Sequence, residues 1–91
     1  MEERLQPGDV VRHFKRETVE DKDSMDYLYI IQSIAQHTET KEKFVIYKAL
    51  YRNDKLGVNY GTYARPYDMF MSEVDHEKYP NIQQKYRFEK I

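Results

Sequence analysis

The sequence contains no cysteine, which excludes disulfides, zinc ribbons and thiol catalysis. It also lacks an excess of either charge. The formal net charge of −1 argues against a protein whose main task is to coat nucleic acid, although a local basic patch is compatible with it. No apolar run approaches membrane-spanning length, and Met1-Glu2-Glu3-Arg4 lacks the apolar stretch of a secretion signal. We therefore expect a cytoplasmic protein with no membrane contact.

The composition indicates a folded domain. Hydrophobic residues make up 40% of the 91 positions and charged residues 34%, a balance that suits a globular chain rather than a disordered one. At this length we expect one domain over residues 1–91, with its core within 7–91 and exposed loops at 16–26 and 75–84. Tryptophan is absent, but nine tyrosines and four phenylalanines suit a thin sheet, because a tyrosine ring packs while its hydroxyl reaches water or a partner.

Alternation of apolar and polar residues predicts strands at 10–15, 27–36, 44–52, 58–64 and 85–91. The second and third are separated by a short polar segment and read as a β-hairpin. In the second, alternation places Leu28, Ile30 and Ile34 on one face and the residues Tyr27, Tyr29, Ile31 and Ala35 on the other. We predict a mainly β fold, a small barrel or a strongly bent antiparallel sheet, whose last strand pairs near the first.

One short helix is expected after the strands. Pro66 suits the first position of a helix, and residues 67–71 supply one or two turns. Phe70 and Val74 are four residues apart and are predicted to face the sheet together.

Five short motifs occur in order along most of the chain. They comprise Gly8 with His13, Phe14 and Lys15; Ala35, His37, Thr38 and Glu39; Val45, Tyr47, Leu50 and Tyr51; Arg65, Pro66 and Phe70; and Arg87 with Phe88. In this the chain resembles a small bacterial family, domain of unknown function 1653, from Gly8 to Phe88. It departs from the family pattern at Val10-Val11, at Arg16, where a glycine is usual, and at Tyr63, where a tryptophan is usual. The resemblance implies an SH3-like barrel and implies no particular activity.

His13 and His37 are the first candidates for chemistry. If the first two strands pair, the two imidazoles could lie near one end of the sheet beside Glu39, as a metal site or an acid–base pair. The alternative is that each histidine ends a strand and hydrogen-bonds to the backbone or to tyrosine hydroxyls. Neither a metal-ligand spacing nor a nucleophile with its base is recognisable, so we predict no metal site, no cofactor and no catalytic residue.

Arg65, Arg87 and Lys15 are the second set of candidates. With nearby tyrosines they could bind a phosphate, a carboxylate or a stacked base. The alternative is that the arginines are structural and bridge carboxylates such as Glu39 or Asp68. The tyrosines have a similar pair of interpretations, as a shallow aromatic surface or as the outer half of a thin core. These tyrosines are Tyr29, Tyr47, Tyr51, Tyr63 and Tyr67.

These patterns favour a binding module for an anionic or aromatic ligand, with a nucleotide or nucleic acid preferred over an acidic peptide. The predicted surface comprises His13, Lys15, His37, Tyr47, Tyr51, Tyr63, Arg65 and Arg87. One alternative is a small enzyme that uses His13 and His37 as acid and base, with an arginine, on a phosphate or carbonyl substrate. Another is a protein-interaction module or homodimer that pairs through an exposed strand edge.

Overall fold

A computed structural model describes residues 4–91; residues 1–3, with which the predicted domain begins, lie outside the described part. The described residues form seven strands, one α-helix and two 3-10 helices. The strands are β1 (Val10–His13), β2 (Leu28–Gln36), β3 (Lys43–Ala49), β4 (Arg52–Asn53), β5 (Val58–Asn59), β6 (Thr62–Pro66) and β7 (Phe88–Lys90). The helix α1 is Tyr67–Phe70, and the 3-10 helices are Phe14–Thr18 and Asp54–Leu56. Among residues 4–91, no helix has the length and apolar character needed to cross a membrane.

The mainly β prediction is confirmed. Five strands form one antiparallel sheet in the order β6-β3-β2-β1-β7, and β4 and β5 form a separate two-stranded ribbon. The predicted hairpin is β2 and β3, which pair along most of their length. The predicted return of the chain is β7, which pairs with β1 so that Phe88 lies opposite His13. Within the described residues β6 and β7 remain unpaired edges, so the sheet is open and not a closed barrel.

A bulge in β2 changes which residues face the core. Ile31 pairs with Tyr47, yet Ser33 pairs with Ile46, so Gln32 is an extra residue without a partner opposite. One extra residue reverses the alternation beyond it. The prediction that Ile34 lies on the face opposite Tyr29 and Ile31 was therefore wrong, because Ile34 packs against the same core as they do.

The core lies on the inner face of the curved sheet. In β3 and just after it, the alternate residues Val45, Tyr47, Ala49 and Tyr51 are all buried. Phe70 stacks on Phe88, with ring centroids 4.0 Å apart and planes 6° from parallel. This contact joins α1 to β7 across the space between the two sheet edges. Leu5, which precedes the predicted core range, is also fully buried in this cluster.

Backbone contacts outside the strands bring the two edges of the sheet close together. After α1, the N–H of Val74 donates to the carbonyl of Lys85, and the N–H of Arg87 donates to the carbonyl of Ser72, both at 2.8 Å. The predicted inward orientation of Phe70 and Val74 is confirmed, because both side chains are buried. The predicted short helix after Pro66 is confirmed as α1, and Pro66 is both the last residue of β6 and the N-cap of this helix, so the helix begins one residue later, at Tyr67.

The first strand is shorter than predicted. It ends at His13, whose Nδ1 accepts the N–H of Lys15 at 3.1 Å, and this contact begins the 3-10 helix Phe14–Thr18. The following loop is held together by Arg16, whose guanidinium donates to the carbonyls of Lys22, Ser24 and Asp26. The turn after His13 is therefore fixed by local hydrogen bonds, and it determines where Lys15 lies relative to the end of β1.

Candidate functional site

Three structural elements bring four of the predicted site residues together. His13 ends β1, Lys15 lies in the adjoining 3-10 helix, and Arg65 lies in β6. Arg87 immediately precedes β7, and its carbonyl accepts the N–H of Phe14 at 3.0 Å. Because the bent sheet brings its edges close to each other, these side chains line one recess of about 330 Å³. Its remaining lining is Phe14, Asp75, Lys78 and Tyr79, and we call it the cationic recess.

Among residues 4–91, the cations of this recess form no ion pair with a carboxylate. The four ion pairs among residues 4–91 are Arg12–Glu89, Arg52–Asp54, Lys85–Glu73 and Lys90–Asp9. None of them includes Lys15, Arg65 or Arg87, so the alternative in which the arginines bridge Glu39 or Asp68 does not describe this arrangement. Asp75 is the single acidic residue of the lining. The recess therefore carries a net positive charge.

Each arginine is held in place through Nε. The Nε of Arg65 donates to the hydroxyl of Tyr47 at 3.2 Å, and the Arg65 guanidinium carbon lies 5.6 Å from the centroid of the Phe88 ring. The Nε of Arg87 donates to Oγ of Ser72 at 3.3 Å. Among the described residues, the Nη groups of both arginines have no hydrogen-bond acceptor. These are the donors that form paired hydrogen bonds with phosphate or carboxylate oxygens.

His13 lies at the inner wall of the recess as a neutral imidazole. Burial, followed by the charges of Arg65, Arg87 and Lys15, lowers the pKa of His13 to about 3. Since Nδ1 accepts the Lys15 N–H, the ring proton is on Nε2. Nε2 has no hydrogen-bond partner within residues 4–91. Every fully buried side-chain nitrogen or oxygen there does have a partner, so Nε2 must be accessible to solvent. His13 can thus offer one N–H to a ligand.

The low pKa of His13 predicts a specific acid response. Below pH 6.5 the unfolded chain takes up a proton on this residue and the folded chain does not, so the free energy of unfolding falls by about 1.4 kcal/mol per pH unit down to pH 3. Above pH 6.5 this residue makes no contribution. The difference in urea-unfolding free energy between wild type and His13→Gln isolates the effect from carboxylate titration. A His13 ring whose NMR signals titrate near pH 6.5 would contradict it.

A second recess adjoins the first and is lined mostly by apolar and aromatic side chains. It has a volume of about 250 Å³ and shares His13, Lys15 and Arg65 with the cationic recess. Its other lining residues are Tyr27, Tyr29, Tyr51, Leu56, Val58 and Phe88, and we call it the aromatic recess. The Tyr27 ring stacks beside His13 with centroids 5.8 Å apart and an interplanar angle of 29°.

His37 lies away from this site. It caps the turn between β2 and β3, where its Nδ1 accepts the N–H groups of Glu39 and Thr40 at 3.1 and 3.2 Å. His13 pairs through its N–H with the carbonyl of Tyr27, at the other end of β2. Ten residues of strand span roughly 30 Å, so the two histidines do not form the predicted pair. Residues 4–91 contain no group of three or more His, Asp or Glu residues arranged to hold a metal ion.

The tyrosines form a layer beneath the site more than a surface over it. Tyr47 and Tyr51 are 5% and 3% exposed, and both belong to the core. Tyr63 is half-buried, with its ring 5.8 Å from that of Tyr47. The hydroxyls of Tyr29 and Tyr51 lie 2.8 Å apart, and burial raises the pKa of both tyrosines. Of the predicted tyrosines, Tyr47 acts on the site by holding Arg65, and Tyr29 and Tyr51 line the aromatic recess.

Sequence reasoning missed several lining residues. Tyr79 falls in a segment predicted as an exposed loop, yet its ring packs 4.9 Å from that of Phe14. An aromatic residue within a polar segment was the available signal for this contact. Leu56 and Val58 flank the turn at Gly57, and nothing in their local pattern places that turn beside β1.

The model of one protein family, described as a protein of unknown function (DUF1653), matches residues 9–90. No curated protein and no solved structure matches the chain.

Proposed function

The chain belongs to the DUF1653 family, and we propose that it is a cytoplasmic binding domain for a small phosphate-bearing ligand. The observation that carries the proposal is the cationic recess, in which Lys15, Arg65 and Arg87 converge without an ion-paired carboxylate among residues 4–91. A phosphate monoester carries a charge of about −1.5 to −2 at neutral pH and has several acceptor oxygens. It would supply the acceptors that the arginine Nη groups lack.

The hydrogen bonds within the recess support the same ligand class. Arg65 and Arg87 are each fixed through Nε, so little side-chain entropy is lost when their Nη groups bind oxygen. His13 adds a neutral donor and Lys15 a flexible point charge. Because four cations, including Lys78, and one neutral donor line a single recess, a group with several anionic oxygens satisfies them better than a single carboxylate does.

The distribution of charge favours a small ligand over a long nucleic acid. The recess has a volume of about 330 Å³, at the lower end of the usual range for ligand pockets. The whole chain has a net charge of −1, whereas proteins that track a phosphate backbone usually carry a basic surface.

Binding is also better supported than catalysis. The enzyme alternative needed His13 and His37 together, and β2 holds them at opposite ends. Among residues 4–91, the hydrogen-bond partner of the His13 ring is the backbone N–H of Lys15, and the ring bonds to no nucleophilic side chain that it could activate.

Calorimetric titration of the chain tests the proposal. Inorganic pyrophosphate, ribose 5-phosphate and acetate are added separately in about 25 mM and about 150 mM salt. We expect both phosphate compounds to bind more tightly than acetate, and their affinity to fall several-fold at the higher ionic strength, because screening weakens an exposed charge–charge attraction. Failure of both phosphate compounds to bind in the low-salt buffer would exclude the proposed function.

A further inference from the structure

We infer that the ligand is a nucleoside monophosphate, whose phosphate occupies the cationic recess while its base occupies the aromatic recess. The inference rests on the proposed function and deepens it by naming the ligand class. The two recesses are neighbours with a common wall of His13, Lys15 and Arg65. A ligand that places phosphate oxygens on Arg65 and Arg87 therefore has the aromatic recess directly beside it.

The aromatic recess has the surfaces that a planar ring requires. Tyr27 is half-buried and stacks beside His13, and its ring centroid lies 6.1 Å from that of Tyr51. Tyr27 also has a φ of 66°, a left-handed conformation that is unusual for a bulky residue. Strained backbone of this kind occurs preferentially where a side chain must be held at a functional site.

The opposite wall supplies exposed apolar surface. Leu56 is 44% exposed although it is a large aliphatic residue, and Val58 beside it is half-buried. Both come from the β4–β5 ribbon, where Asn53 caps the short 3-10 helix by accepting the N–H groups of Lys55 and Leu56. A base inserted between the tyrosines and Leu56 would cover this apolar surface, and stacking of that kind tolerates any base.

The recess also offers polar atoms at its floor. The hydroxyls of Tyr29 and Tyr51 lie 2.8 Å apart, and either can be the donor of the bond that joins them. Each hydroxyl keeps further capacity to donate or accept. A recess that combines aromatic and aliphatic side chains with a few hydroxyls suits a heterocyclic ring better than it suits a second phosphate or an aliphatic chain.

The inference predicts that the base contributes to affinity. AMP and ribose 5-phosphate share the sugar and the phosphate and differ by the base. We expect AMP to bind about 10-fold more tightly, the lower part of the range for stacking of one base on aromatic side chains. Leu56→Ser should lower the AMP affinity several-fold and leave the ribose 5-phosphate affinity unchanged. Ile91→Ser is the matched control, because Ile91 is exposed and lines neither recess.

Each outcome of the titration assigns the ligand differently. Equal affinities for AMP and ribose 5-phosphate, or a Leu56→Ser loss that is the same for both, would overturn the inference and leave the proposed function standing. Failure of AMP and ribose 5-phosphate to bind would overturn the inference, and failure of pyrophosphate as well would end the proposed function. A single-stranded oligoribonucleotide of eight or so residues forms a further arm. An affinity for it more than about 100-fold above that for AMP would overturn the mononucleotide assignment in favour of an extended strand.

Discussion

Replacing Phe88 by alanine is expected to lower the free energy of unfolding by about 3–5 kcal/mol, the usual cost of removing a buried phenylalanine ring. Phe88 is 1% exposed, and its ring is stacked on Phe70. The rings of Tyr29, Tyr47 and His13 meet it edge-on within 5.8 Å. Truncation would leave a cavity beneath the site and remove the contact that joins the two sheet edges.

Urea unfolding followed by circular dichroism measures this effect. Domains of this size are stabilised by roughly 5–15 kcal/mol, so the variant is expected to unfold at much lower denaturant concentration. Phe44→Ala is the matched control, because Phe44 is half-buried and lies outside the core cluster, and it should cost clearly less. A loss below about 1 kcal/mol for Phe88→Ala would contradict the packing described above.

Replacing both Arg65 and Arg87 by glutamine is expected to lower the affinity for pyrophosphate about 100-fold. Each single variant, Arg65→Gln or Arg87→Gln, should lose about 10-fold, since a hydrogen bond to a charged group contributes on the order of 1.5–3 kcal/mol. Arg65→Lys keeps the charge but loses the paired donors, so its affinity should lie between those of wild type and Arg65→Gln.

The control for charge is Lys43→Gln, which removes one positive charge at the β2–β3 hairpin end of the sheet, outside both recesses. It should change affinity less than two-fold. Arg65→Gln also removes the donor to the Tyr47 hydroxyl, so unfolding is measured alongside binding. Equal affinity losses for Lys43→Gln and Arg87→Gln would mean that general charge, and not the recess, attracts the anion.

The fold was predictable where local pattern decides it. Alternating apolar residues identified the strands β2 and β3 correctly, and the polar segment between them identified the hairpin. The bulge at Gln32 was not predicted, because Ile30 and Ile34 also fit an uninterrupted alternation and only the pairing with β3 reveals the extra residue. The approach of the two sheet edges also depends on the three-dimensional curvature of the sheet, which the alternation of residues does not encode.

The site was predictable only in part, because its residues are brought together by the curvature and topology of the sheet. Arg65 and Arg87 come together because β7 returns beside β1 while the sheet bends β6 towards it. The placement of His37 was wrong in a way that topology explains. β1 pairs with β2 in antiparallel orientation, so His13 at the end of β1 lies beside the start of β2. His37 follows the other end of β2 and is therefore far from His13. Tyr47 and Tyr51 are buried in the core, because the face of the strand that carries them is the face that packs inward.

An amide-resolved NMR titration of the wild-type chain with pyrophosphate at low salt tests the central claim most directly. We expect the shifts to concentrate on His13, Lys15, Arg65 and Arg87, to weaken as salt is added, and to leave the turn at His37 unchanged. Shifts centred on that turn, or no shifts at any residue, would contradict the assignment of the cationic recess as the binding site.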